Sequence, residues 1–244
     1  MSNEGQSDQF FIGWDVGGWN CDKNQKSRDA IVIIDSNLSI VGRPWRGNLR
    51  RLINESTTTG EFIRKLFCLA ITKLKPDNAR IILAIDTPLG FSNDFVGLVA
   101  GYKYVEPVEG SGTNPYLFRK TERFLFQHGL RPLSAIKDMI GSQATKGMHV
   151  LAKFAPEVLR CGVWSNGESL RAIEAYPSAC KSSTSIKALR HQVRYKSIDN
   201  QDEQDALTCA LMAYLFENRS NDLIAPPDLV PASEGWIWVP KDII

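Results

Sequence analysis

Five carboxylates in this chain stand where their type and spacing suit the chemistry of a hard divalent cation. Asp15 closes the run FFIGWD, Asp86 closes RIILAID, and Glu174 ends the apolar part of SLRAIEAYP. In an open sheet with parallel strands, ligands collect beyond the carboxyl ends of those strands. Three acids far apart in sequence are therefore expected to converge. Asp202 and Asp205 lie three residues apart in DEQDALTCALMAYL, a spacing that puts both on one face of a helix's opening turn. Carboxylates so gathered repel one another by several kcal/mol unless a cation sits among them. Mg²⁺ or Mn²⁺ is the expected cofactor, because such ions take oxygen ligands and keep room for water and phosphate. Two of them, about 3.5 to 4 Å apart, can cleave a phosphodiester. On this reading Asp15 bridges the metals, Asp86 and Glu174 flank it, and Asp205 with Asp202 completes the second site.

Each acid has a plainer reading beside that one. An Asp after a strand is commonly a turn residue or a helix cap, and Asp202 is placed to be an N-cap. The functional reading rests on the coincidence of three strand ends with one helix start.

The elements that must position these acids follow from changes in hydrophobic period. FFIGWDVGG, DAIVIIDS and NLSIVGRPW read as three antiparallel strands. From Thr58 the apolar residues Phe62, Leu66, Leu69, Ala70 and Leu74 take helical spacing, with Pro76 beyond the end. ARIILAIDTPLG is a nearly all-apolar run, as expected of a parallel strand buried on both faces, and SLRAIEAYP is a second. DEQDALTCALMAYLFEN is a closing helix with acids in its first turn. Residues 91–168 read as loops and helices, around Tyr116 to His128 and Lys137 to Arg160, inserted as a cap. The expected fold class is α/β, a mixed sheet of three antiparallel and then two parallel strands with helices on both faces, in one domain of residues 1–244. That element order resembles the RNase H-like fold.

Composition excludes more than it selects. Lys and Arg number 29 against 27 Asp and Glu, so net charge speaks neither for nor against nucleic-acid binding. The five cysteines form no CxxC pair, which argues against a disulfide framework or a zinc knuckle. His128, His149 and His191 are isolated, and no GxSxG elbow is present. No stretch approaches the ~18 apolar residues of a membrane span, and a soluble, cytoplasmic protein is expected.

IGWDVGG, LAIDTPLGFS, NPYLFRKTE, IEAYPSA, DEQDALTCALMAYL and EGWIWVP resemble, in order, the motifs of the predicted RNase H-like nucleases catalogued as domain of unknown function 429. The resemblance implies an RNase H fold and a nuclease activity on DNA or RNA, with Asp15, Asp86, Glu174 and Asp205 at the family's acidic motifs. DEQDAL is also similar to the closing helix of Holliday-junction resolvases, and this more distant likeness alone carries Asp202 over. Arg119 and Glu122 fall within a family-like motif, which implies a place lining the cleft; a surface ion pair is the plainer reading.

Basic residues supply the expected nucleic-acid surface. Lys181, Lys187, Arg190, Arg194 and Lys196 occur in a stretch without Asp or Glu that runs into the acidic helix, and would bind phosphates by charge and counterion release. Arg123 joins Arg119 and Lys120 in a second group, and Arg43, Arg46, Arg50 and Arg51 surround Trp45 in a third. Two other functions fit parts of the sequence. DVGGWN resembles the phosphate loop of actin-like and sugar-kinase phosphotransferases and ATPases, although those generally duplicate the fold. A non-catalytic module that binds nucleic acid or protein is the other.

Overall fold

Strand β1 (Gln9–Asp15) is apolar at every inner position because both of its faces are covered. The computed structural model describes residues 8–108, 110, 112–195 and 197–244; Lys196 lies outside the described residues. After β1 come β2 (Asp29–Asp35), the short β3 (Trp45–Gly47), α1 (Arg50–Glu55), α2 (Thr59–Leu69) and β4 (Arg80–Asp86). Helices α3 (Asn93–Gly101), α4 (Lys120–Gln127) and α5 (Gly141–Phe154) precede β5 (Glu157–Arg160), β6 (Val163–Ser165) and β7 (Leu170–Ala175). The chain closes with α6 (Pro177–Cys180), α7 (Thr184–Gln192), α8 (Gln201–Asn218) and β8 (Ile237–Trp238).

All eight strands belong to one mixed sheet in the order β3-β2-β1-β4-β7-β6-β5, with β8 paired to the end of β7. β1, β4 and β7 are parallel; β2 and β3 run antiparallel on one side, β6 and β5 on the other. One apolar layer packs α8, α7 and α6 against Phe11, Val32, Ile82 and Ile173. The opposite layer packs α2 and α5 against Ile12, Ile33, Leu83 and Ile85. The coarse α/β reading is what the structure shows, and two details differ. The third strand does not run through NLSIVGRPW: Ser39 and Ile40 make only isolated bridges there, and regular pairing is confined to Trp45–Gly47. The segment 91–168 is not all cap, since β5 and β6 extend the sheet. β5 is exposed at all four residues and so carries no apolar alternation to read.

The approach of α8 to β1 depends on Gly13. A Cβ there would collide with the Ala206 carbonyl and the Ala210 nitrogen, so only glycine lets the helix lie directly on the strand. Helix α8 is capped by Asn200, whose side chain accepts from the amides of Asp202 and Glu203. That cap leaves both Asp202 and Asp205 free for other work.

Candidate functional site

Strand register brings the first two acids together. Asp15 and Asp86 are direct partners across the parallel β1–β4 pair, so their side chains leave the sheet on the same face. That face is the one covered by α8. Their carboxyls are within hydrogen-bonding reach of each other. Among the described residues, neither carboxylate receives a hydrogen bond from an amide, guanidinium or ammonium group. Burial, followed by the charge of Asp86 and then of Asp202 and Asp205, holds the Asp15 carboxyl far above the usual carboxylate range. Burial, followed by Asp205 and Glu174, does the same to Asp86. Both acids keep some accessible surface and line a cavity of about 350 Å³.

Asp205 reaches this pair from α8 but is partly engaged. Gln201 Nε2 donates to its Oδ2 at 2.7 Å. Oδ1 meets the Lys181 ammonium as an ion pair without a well-directed hydrogen bond. Lys181, expected to bind phosphate, is thus the counter-ion of an acid at the site.

Glu174 and Asp202, expected as ligands, are each paired with a guanidinium. Glu174 is registered with Ile85, not Asp86, so it leaves the sheet on the other face. At the strand end it still lines the cavity shared with Asp15 and Asp86, and its charge raises the Asp86 carboxyl. Its two oxygens accept from Arg119 Nη2 at 2.6 Å and Nη1 at 2.8 Å, and the Leu89 amide adds a bond of 2.9 Å. Arg119 also donates Nε to Glu122 Oε1 at 2.8 Å. The three side chains are at most 2 % exposed. Arg119 and Glu122 are therefore a buried ionic support for Glu174 and do not form a substrate surface. A carboxylate in a bidentate guanidinium pair is already neutralised and has few lone pairs left, which weakens it as a metal ligand. Asp202 accepts from the Arg46 Nε at 2.6 Å and the Arg28 amide at 3.1 Å. It ties α8 to β3 and to the entry of β2, and its field still reaches Asp15.

The basic groups sort in a similar way. Arg190 spends its Nη2 on the Gln204 carbonyl and the Thr208 hydroxyl, bracing α7 on α8. Arg194 is bridged to Ser39 beyond the end of β2, where β1 begins. Six residues of strand separate that end from Asp15, roughly 20 Å. The basic arm thus leads away from the acids, with Lys187 exposed along it. Arg123 donates to the Thr113 carbonyl. Arg46, Arg50 and Arg51 each pair with an acid, Asp202, Asp22 and Glu55 respectively, and Trp45 packs on the core.

A buried ion pair went unread in the sequence. Lys146 of α5 and Asp29 of β2 are both fully buried and in contact. Asp29 also accepts from Trp14 Nε1, from the Gly17 amide and from the Leu49 amide. Lys146 donates to the Gly17 and Gly18 carbonyls and to Asn48 Oδ1. Nothing in the spacing of Asp29 and Lys146, 117 residues apart, signals this. The same contacts decide how the GGW loop is used. The Gly17 amide goes to Asp29 and the Trp19 amide to Ser142 Oγ. A phosphate loop needs such amides free for the anion, so the loop offers little to a nucleoside triphosphate.

No protein-family model matches the chain, and comparison with curated proteins and with solved structures finds no similar protein. The resemblance to the nuclease family rests on the motifs alone. Among the described residues, no group of three or more His, Cys, Asp or Glu side chains is arranged to hold a metal ion. Mg²⁺ does not need one, because it is commonly held by one or two carboxylates with waters and substrate phosphate filling its octahedron. Asp15 and Asp86 fit that role, and Asp205 is the next acid in reach. No helix among the described residues is long and apolar enough to cross a membrane. The five cysteines are free thiols.

Proposed function

We propose that this protein is a metal-dependent hydrolase of phosphodiester bonds in nucleic acid, built on an RNase H-like framework. One observation carries the reading. Two carboxylates face each other at the ends of adjacent parallel strands, with no protein donor to neutralise them among the described residues. Among the described residues the other buried acids nearby have protein partners: Asp29 has Lys146, Glu122 and Glu174 have Arg119, Asp202 has Arg46, and Glu234 accepts from the Asn93 and Lys120 amides. Leaving Asp15 and Asp86 without an ion pair among the described residues, with only the field of Lys181 to offset part of the charge on Asp86, is costly, and a site that takes a cation explains why the cost is tolerated. The order of three antiparallel strands followed by parallel β4 and β7 supports the framework, as do the six motifs.

Asp15 and Asp86 would hold the cation, and Asp205, now paired with Lys181, would be the next acid available to it. Bound Mg²⁺ or Mn²⁺ supplies Lewis acidity to the phosphodiester. The residues of this chain fix its place by strand register, and Lys181 balances charge as the phosphate arrives. With Glu174 and Asp202 committed elsewhere, the available acids support one tightly held ion; a second depends on Asp205.

The test is titration with Mn²⁺ by calorimetry, together with cleavage of single- and double-stranded DNA and RNA in Mg²⁺, Mn²⁺ and Ca²⁺. The expected result is one Mn²⁺ site lost in Asp15→Asn, and cleavage in Mg²⁺ or Mn²⁺ with binding alone in Ca²⁺. No cleavage of any of these polymers in either active metal would overturn the reading.

A further inference from the structure

The cavity at Asp15 and Asp86 has walls that a cation does not need. Val16, Pro88, Pro132, Leu133, Ile140 and Ile237 give it broad apolar sides. Gln143 of α5, Ser178 of α6 and Thr87 add polar edges, and Arg131 stands exposed at the rim. Its volume, about 350 Å³, lies within the roughly 300–1,000 Å³ of pockets that enclose one small ligand.

Thr87 supplies an independent sign of a missing partner. It is 5 % exposed, and its hydroxyl has no hydrogen-bond partner among the described residues. Its methyl is the branch packed towards Gly147, which leaves the hydroxyl as the unspent group of a residue lining the cavity. A buried hydroxyl without a partner is costly, and such groups call for a ligand or a water. On the far side of the Arg131–Pro132–Leu133 segment lies a second cavity, of about 490 Å³, walled by Phe118, Phe126 and Leu130. Arg131 is therefore the charged side chain shared by two adjoining hollows. The Tyr176 hydroxyl donates to the Arg131 carbonyl at 2.8 Å and holds that dividing segment against α6.

We infer that the first cavity receives one unpaired nucleotide of a single strand, its base between the apolar walls, with Arg131 on the phosphate that leads into the second cavity. This rests on the hydrolase reading above and narrows its substrate. A base can enter a closed-sided pocket only from a single strand or when its nucleotide is turned out of the stack. A paired helix cannot place one base in so small a space without such unpairing. Arg presents a planar fork suited to phosphate, and one phosphate contact contributes about 0.7 to the salt slope of single-strand binding.

The experiment measures binding of a fluorescent ten-nucleotide single strand and of the corresponding blunt duplex in Ca²⁺, and their digestion in Mn²⁺. The single strand is expected to bind at least about tenfold more tightly. Ser178→Trp, at an exposed position, fills the cavity and is expected to abolish that preference with an unchanged melting temperature. Thr87→Val keeps the methyl at Gly147 and is expected to weaken single-strand binding up to about tenfold, the worth of one hydrogen bond. Arg131→Ala is expected to lower the salt slope by about 0.7. Equal affinity for both polymers, with Ser178→Trp and Thr87→Val unaffected, would overturn the pocket assignment even if the protein cuts. Preferential single-strand binding that is lost in Ser178→Trp, without cleavage in Mn²⁺, would uphold the pocket and refute the hydrolase reading. Absence of binding to either polymer would refute both.

Discussion

Asp86→Asn is expected to make the metal-free protein more stable, not less. Burial and the nearby acids push the Asp86 carboxyl from 3.8 up to about 8. The interval between 3.8 and neutral pH, at about 1.4 kcal/mol per pH unit, corresponds to about 4 kcal/mol of penalty. Contact with cavity water and proton sharing with Asp15 relieve part of this, so about 2 kcal/mol remains to be recovered. The asparagine also donates its amide to Asp15, replacing the shared proton with a permanent one. For a chain of 244 residues, that gain corresponds to a rise of about 4–8 °C in melting temperature. Millimolar Mn²⁺ reverses the order: the parent gains by mass action while the variant gains little. Scanning calorimetry at neutral pH, in chelator and in Mn²⁺, measures both effects. A variant less stable than the parent in chelator would show that Asp86 is satisfied by a partner. Equal stabilisation of both proteins by Mn²⁺ would place the ion elsewhere.

The remaining predictions concern neighbouring groups. Because the Asp15 carboxyl is raised from 3.8 to about 9, the folded chain holds protons that the unfolded chain has lost. Metal-free stability should therefore be greatest below about pH 4 as far as this group is concerned, and fall as pH rises through about 9; denaturant melts across that range measure the slope, which should be shallower in Asp15→Asn, where only Asp86 of the pair still titrates. Glu174→Gln leaves Arg119 buried with a weakened partner set and should cost about 3–5 kcal/mol while Mn²⁺ affinity of the folded fraction stays unchanged; a lost Mn²⁺ site would return Glu174 to the ligand set. Lys181→Ala releases Asp205 and should tighten Mn²⁺ binding a few-fold, and weaker binding in calorimetry would contradict the counter-ion role. Arg190→Ala should lower the melting temperature by a few degrees without altering the salt slope of nucleic-acid binding, since its guanidinium is spent on α8.

What could be read in the sequence follows from how each feature is encoded. The long strands β1, β2, β4 and β7 and the helix α8 announce themselves because burial on both faces demands unbroken apolar runs. β3, β6 and β8 are two or three residues long, too short for any period to appear. That Asp15 and Asp86 meet was legible, since both end parallel strands. Glu174 reaches the same cavity, but its strand is registered one residue out of step, with Glu174 opposite Ile85, and a single step of register exchanges the faces of a sheet, so its pairing with Arg119 was not legible. The commitment of Asp202 to Arg46 and of Arg190 to Thr208 is a matter of tertiary approach, which no local spacing records. Thr87, Gln143 and Arg131 carry no motif of their own and come together only in the folded cavity.

Helix α5 gives the inner wall of that cavity through Gln143, and one turn later sends Lys146 beneath it to Asp29. The wall is consequently anchored from below by a charge that has nowhere else to go. Lifting α5 by even a few ångströms would strand an ammonium and a carboxylate away from water. The cavity's exposed edge is formed by Arg131, Leu133 and Ser178, and any ligand that enters there meets the shape the folded chain already has.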